Sequence, residues 1–78
     1  MQDEIKSLLS ASLNVEHIEA VMEGNHCHLL VVSAEFDGLS PVKRQQKIYQ
    51  CLGEKIESGE IHAVHIRAIT PAQWESGV

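Results

Sequence analysis

Aromatic residues are scarce in this chain: Phe36, Tyr49 and Trp74 are the only ones among 78 positions. The core must therefore be built from Ile, Leu and Val. Cations are also few. Six Lys and Arg face 11 Asp and Glu, for a formal net charge of -5. Nonspecific binding to nucleic acid needs clustered cations, so the overall balance argues against it and leaves room only for a local basic patch. The two cysteines, Cys27 and Cys51, are too few for a disulfide framework and are expected as reduced thiols. There is no Cys-x-x-Cys or His-x3-His spacing, so the chain offers no closed four-ligand zinc site. No apolar run approaches the roughly 18 residues of a membrane span, and no signal peptide is present. A soluble, cytoplasmic chain without membrane contact is the expectation. The length allows one small domain, which buries only about 60% of its unfolded surface.

What the chain does have is a globular apolar fraction of 44% and five histidines: His17, His26, His28, His62 and His65. The apolar pattern orders them. Ile5, Leu8, Leu9 and Leu13 predict an amphipathic helix over 2–13, with Asp3 and Glu4 where the helix dipole favours acids. Residues 15–23 alternate and predict a strand, with Ile18, Ala20 and Met22 on one face and His17, Glu19 and Glu23 on the other. A turn at Glu23-Gly24-Asn25 leads into the apolar run 28–34, which reads as the central strand of a hairpin. Phe36 to Pro41 is a loop, ending in Ser40 as N-cap and Pro41 at the first helical position.

The second helix runs from 41 to 58, with Val42, Gln45, Tyr49, Leu52 and Ile56 as its stripe and Ile48 beside it. Gly53 weakens its middle by about 1 kcal/mol relative to Ala, and Gly59 is placed to cap its end. A third strand over 61–70 and a last short helix from Pro71 complete the order α-β-β-α-β-α. The strand–helix–strand unit favours a right-handed parallel crossover. The expected fold is α+β, αββαβ(α), with a three-stranded mixed sheet, helices on one face and the other face open.

His62 and His65 lie three apart, and a strand sends such residues to opposite faces. They cannot grip one ion together. His62 shares a face with Val64, Ile66 and Ala68 and is expected at the rim of the core. His65 falls on the open side with Arg67 and reads as a solvated surface residue, as does His17. Cys27 could pair with a histidine as nucleophile and base, but no oxyanion-hole motif accompanies it, and a small packed hydrophobe is the better reading. Cys51 reads as plain packing. Lys43, Arg44 and Lys47 cluster at the start of the second helix, either as a solvated face or as a contact for phosphate or an acidic partner.

The segments "VVSAEFDGLSPVKRQQKIYQCL" and "IHAVHIRAITPAQW" resemble the BolA-like family, in particular its short, acid-stress IbaG-like branch. The specific parts are Phe36-x-Gly38 with Ser40 before a basic helix start, Ile61-His62-Ala63, and Thr70-Pro71-Ala72-x-Trp74. The resemblance implies a class II KH-like fold, matching the order above. It also implies a non-enzymatic adaptor that pairs with a monothiol glutaredoxin and shares a [2Fe-2S] cluster with it, glutathione entering through the glutaredoxin. By that resemblance His62 is a cluster ligand. The second is His26 or Cys27, from the turn between the first two strands, where this chain has Cys27 at a position the family usually gives to Phe. Some family members are DNA-binding regulators. That alternative would use Lys43, Arg44, Lys47 and Arg67, but the chain lacks the Gly-x-x-Gly loop of nucleic-acid-binding KH domains.

Overall fold

The computed structural model describes residues 2–77. Helix α1 spans Gln2–Ser12, strand β1 Val15–Glu23 and strand β2 His26–Ser33. A 3-10 turn at Ala34–Phe36 leads to helix α2, Pro41–Glu57, then strand β3, Ala63–Ile69, and helix α3, Pro71–Glu75. The strand order is β1-β2-β3, with β1–β2 antiparallel and β2–β3 parallel. This is the mixed α+β sheet expected from the pattern. Register runs from Glu23 opposite His26 to Val15 opposite Ser33 in the first pair, and from His26 opposite Ala63 to Val32 opposite Ile69 in the second. A bulge between Val15 and His17 leaves Glu16 without a partner position.

The inward face of the sheet presents Ala20, Cys27, Leu29 and Val31 to Ile5, Leu9 and Leu13 on one side and to Phe36, Ile48, Leu52 and Ile61 on the other. Phe36 is wholly buried and is the largest side chain to be so. In α2 the buried stripe is not the one the pattern indicated. Val42 and Tyr49 are 62% and 40% exposed, and the inward row is Arg44, Ile48, Leu52 and Ile56, with Cys51 and Lys55 beside it. The row follows strict i, i+4 spacing. It was hidden because Arg44 in the row and Lys55 beside it are charged and are not counted by an apolar period.

The helix starts as expected. The Ser40 hydroxyl accepts from the Lys43 amide at 3.3 Å, and Pro41 occupies the first turn. Gly59 follows its end at φ +83°, a conformation glycine adopts freely.

The two long helices share one face of the sheet. The short α3 turns back on the other, where Trp74 stacks on His17 at 5.0 Å between ring centres. Val32 and Ile69, in register on that face, are buried at this end. A capping box fixes the turn: the Thr70 hydroxyl accepts from the Gln73 amide at 3.2 Å, and the Gln73 carboxamide oxygen accepts from the Thr70 amide at 2.9 Å.

Candidate metal half-site

Three segments meet at one end of the sheet. The Ile61 amide donates to the Lys55 carbonyl at 3.2 Å, tying the segment before β3 to the end of α2. The His62 amide donates to the Asn25 carbonyl at 2.8 Å, tying the same segment to the β1–β2 turn. His62 is exposed. Its Nε2 stands 3.8 Å from where a Cβ on residue 59 would lie, an ordinary van der Waals distance that places the ring against the Gly59 turn. The ring thus sits at the rim of the helix side, with Ile61 fully packed just before it.

His26 opens β2 and is exposed. Cys27, next along, points the opposite way into the core and has no exposed surface. Burial pushes its thiol pKa up, so it holds its proton more firmly than a free cysteine. Thiolate is the ligand form of cysteine, so Cys27 is corrected from competing second ligand to core residue. It packs where the pattern first put it, as a small hydrophobe. Cys51 is half-buried, and its thiol donates to the Lys47 carbonyl at 3.3 Å.

Cross-strand register produces an arrangement that no local pattern announced. His28 faces His65 directly, and His26 lies one pleat along on the same open face. The three rings form a ladder with His65 in the middle: 4.6 Å to His28 and 5.8 Å to His26, with interplanar angles of 11° and 17°. Glu23 Oε1 lies 3.8 Å from His28 Nε2. His65 is exposed, as expected of a surface residue, but it is not solitary. The only available signal was "HCH" with a histidine in a later strand, and the register that aligns them is a tertiary property.

The cations divide. Arg44 is built into the fold: Nε donates to the Leu39 carbonyl at 3.0 Å, and Nη1 to the Ala68 carbonyl at 3.1 Å and the Gln73 carboxamide at 3.0 Å. Its guanidinium clasps α2, β3 and α3, which corrects its place among the nucleic-acid contacts. Lys43 and Arg67 are exposed and Lys47 is half-buried. Lys55 bridges Glu4 of α1 at 2.5 Å and Glu60 at 3.2 Å. Hydrogen bonding and charge from Lys55 lower the Glu4 pKa, and Glu4 and Glu60 in turn raise that of Lys55.

Among the described residues, no group of three His, Cys, Asp or Glu side chains could hold a metal ion. No helix among them is long and apolar enough to cross a membrane. His62 and His26 are both exposed and lie on segments joined by a main-chain hydrogen bond.

Comparison with known proteins agrees with this architecture. The family model described as BolA-like protein matches residues 5–73. Acid stress protein IbaG of Escherichia coli (strain K12) is 42% identical over 72 residues, covering 92% of this chain and 86% of that one. BolA-like protein 1 of Bos taurus is 38% identical, covering 91% of this chain and 59% of the other. The BolA domain of SufE1 from Arabidopsis thaliana superposes with a TM-score of 0.86 at 32% identity, over 92% of this chain and 93% of that domain. With the family match spanning nearly the whole fold, the chain belongs to the BolA-like family.

Proposed function

We propose that this chain is a non-enzymatic adaptor that pairs with a monothiol glutaredoxin and co-ligates a shared [2Fe-2S] cluster, in a stress-related role of the kind the name of its E. coli relative describes. His62 is one ligand and His26 the second. The supporting observation is the 2.8 Å hydrogen bond from the His62 amide to Asn25, which holds two exposed imidazoles on adjoining segments of one sheet end. The remaining ligands belong to the partner, which accounts for a half-site in place of a closed one.

Imidazole in place of thiolate removes negative charge from one iron and raises the cluster potential. Each imidazole must be neutral to bind. The residues do the rest by position: the pairing of His26 with Ala63 sets the two segments side by side.

The test is reconstitution with a monothiol glutaredoxin and glutathione, followed by visible circular dichroism. His62→Ala is expected to abolish the heterodimer spectrum and His26→Ala to change it. A His62→Ala spectrum identical to wild type refutes the assignment.

A further inference from the structure

We propose that the groove between α1 and α2 is a docking site for a basic amphipathic helix of a partner protein. The groove encloses about 780 Å3, with Leu8, Ala11, Cys51 and Gly53 as its apolar lining. The Glu4–Lys55 ion pair ties the start of α1 to the end of α2, and Ser12 lies with Lys47 and Gln50 at the other end. Leu8 is 37% exposed, a large apolar side chain left open to water. Gly53 is the informative position. It lies inside α2, where glycine is the least favourable residue after proline. A Cβ built on it would meet no atom within 4 Å. Packing within the chain therefore gives no reason for the glycine. A close approach of another backbone from outside does. On the α1 wall, Ser7 and Ala11 are also small, which leaves that approach open.

Charge and shape select the occupant. Asp3 and Glu54 flank one end of the groove, both exposed and in no ion pair among the described residues. Lys55, the cation at that end, is already held by Glu4 and Glu60. The two acids attract Lys or Arg. They repel phosphate, as does the net charge of -5, which argues against nucleic acid or an anionic lipid surface here. From Asp3 to Ala11 the wall runs about 12 Å, or about two helical turns. A helix with a small apolar stripe flanked by Lys or Arg fits that length and that charge. A second copy fits poorly, because two-fold pairing would set the same concave, acidic surface against itself. Cys51 belongs to the lining and not to any chemistry there, since its thiol is bonded to the Lys47 carbonyl.

The test uses the intact chain and a fluorescein-labelled helical peptide, with alanine and leucine along one face and lysine on its flanks, read by anisotropy. The control is the same peptide with glutamate for lysine. The basic peptide is expected to bind, less tightly as salt rises, and the acidic one about tenfold more weakly or worse. Gly53→Leu fills the groove, and Asp3→Lys with Glu54→Lys reverses its charge. Each is expected to weaken binding of the basic peptide about tenfold or more, with far-UV circular dichroism checking the fold. Gly53→Ala should melt above wild type, since alanine favours the helix and its Cβ has room, yet bind the peptide less tightly. A glycine of purely structural importance would not divide the two readouts in that way. Amide resonances of Ser7, Leu8, Gln50 and Gly53 should shift on peptide addition. His62→Ala should bind as the wild type does, which keeps this test apart from the adaptor reading. Absence of binding, equal binding of both peptides, unchanged affinity in Gly53→Leu, or shifts centred on the open sheet face overturns the proposal. So does a dimer in solution that Gly53→Leu dissociates, which would make a second copy the occupant.

Discussion

Replacing Arg44 by Met keeps most of the alkyl stem against α2 and β3 and removes only the guanidinium. Three hydrogen bonds go with it, to the carbonyls of Leu39 and Ala68 and to the Gln73 carboxamide. Hydrogen bonds to a charged group contribute roughly 1.5–3 kcal/mol each at face value. The site is only half-buried, so water reaches part of what is vacated. The Gln73 oxygen also keeps its bond from the Thr70 amide. A net loss of about 2–3 kcal/mol is the reasoned outcome. In a domain of this size each kcal/mol moves the melting temperature by roughly 4–8 °C, so Arg44→Met should melt roughly 8–24 °C below wild type. Urea unfolding followed by Trp74 fluorescence should show the midpoint falling with an unchanged slope. A variant melting within about 2 °C of wild type would refute the clasp. If it also lost affinity for duplex DNA, the arginine would return to the nucleic-acid reading.

Cys27 should resist a thiol reagent in the native chain and react at full rate only in denaturant, since its thiol is both buried and held protonated; equal rates for both cysteines in the native chain would contradict its place in the core. Lys55→Met should flatten the pH dependence of stability at both ends. The lowered Glu4 pKa contributes stability that is present above the ordinary carboxylate range and lost as pH falls through the folded value, whereas the raised Lys55 pKa contributes stability that is present below the ordinary lysine range and lost as pH rises through its folded value. Chemical unfolding across pH, wild type against variant, measures both flanks. Thr70→Ala removes the hydroxyl half of the capping box and should cost about 1 kcal/mol, with a change in Trp74 emission as α3 loosens from His17.

Element order and topology were readable because each strand and helix has a strong local period and its own punctuation: the Gly24 turn, Ser40-Pro41, Gly59 and Thr70-Pro71. The family resemblance pointed to the same fold. What escaped the pattern depends on neighbours. The inward row of α2 includes Arg44 and Lys55, which no apolar period counts. The histidine ladder depends on the offset between β2 and β3, which places His65 between His26 and His28, and residues nearly forty positions apart carry no local sign of that offset. The exposure of His62 just before β3 was legible by position. The choice between His26 and Cys27 was not, because neighbours in a strand differ only in which face they take, and that is decided by the packing of β2 against the helices.

The hydrogen bond between the His62 amide and Asn25 joins residues separated by the whole of β2 and α2. Parallel pairing of this kind closes a long loop and is a strongly non-local step for the chain. A chain with the hairpin and α2 formed but β3 undocked would hold His26 and leave His62 free to wander. The pair of imidazoles therefore comes into being only when the last strand docks. A partner that needs both would be selecting the fully folded chain over its near-complete forms, so that recognition itself inspects folding.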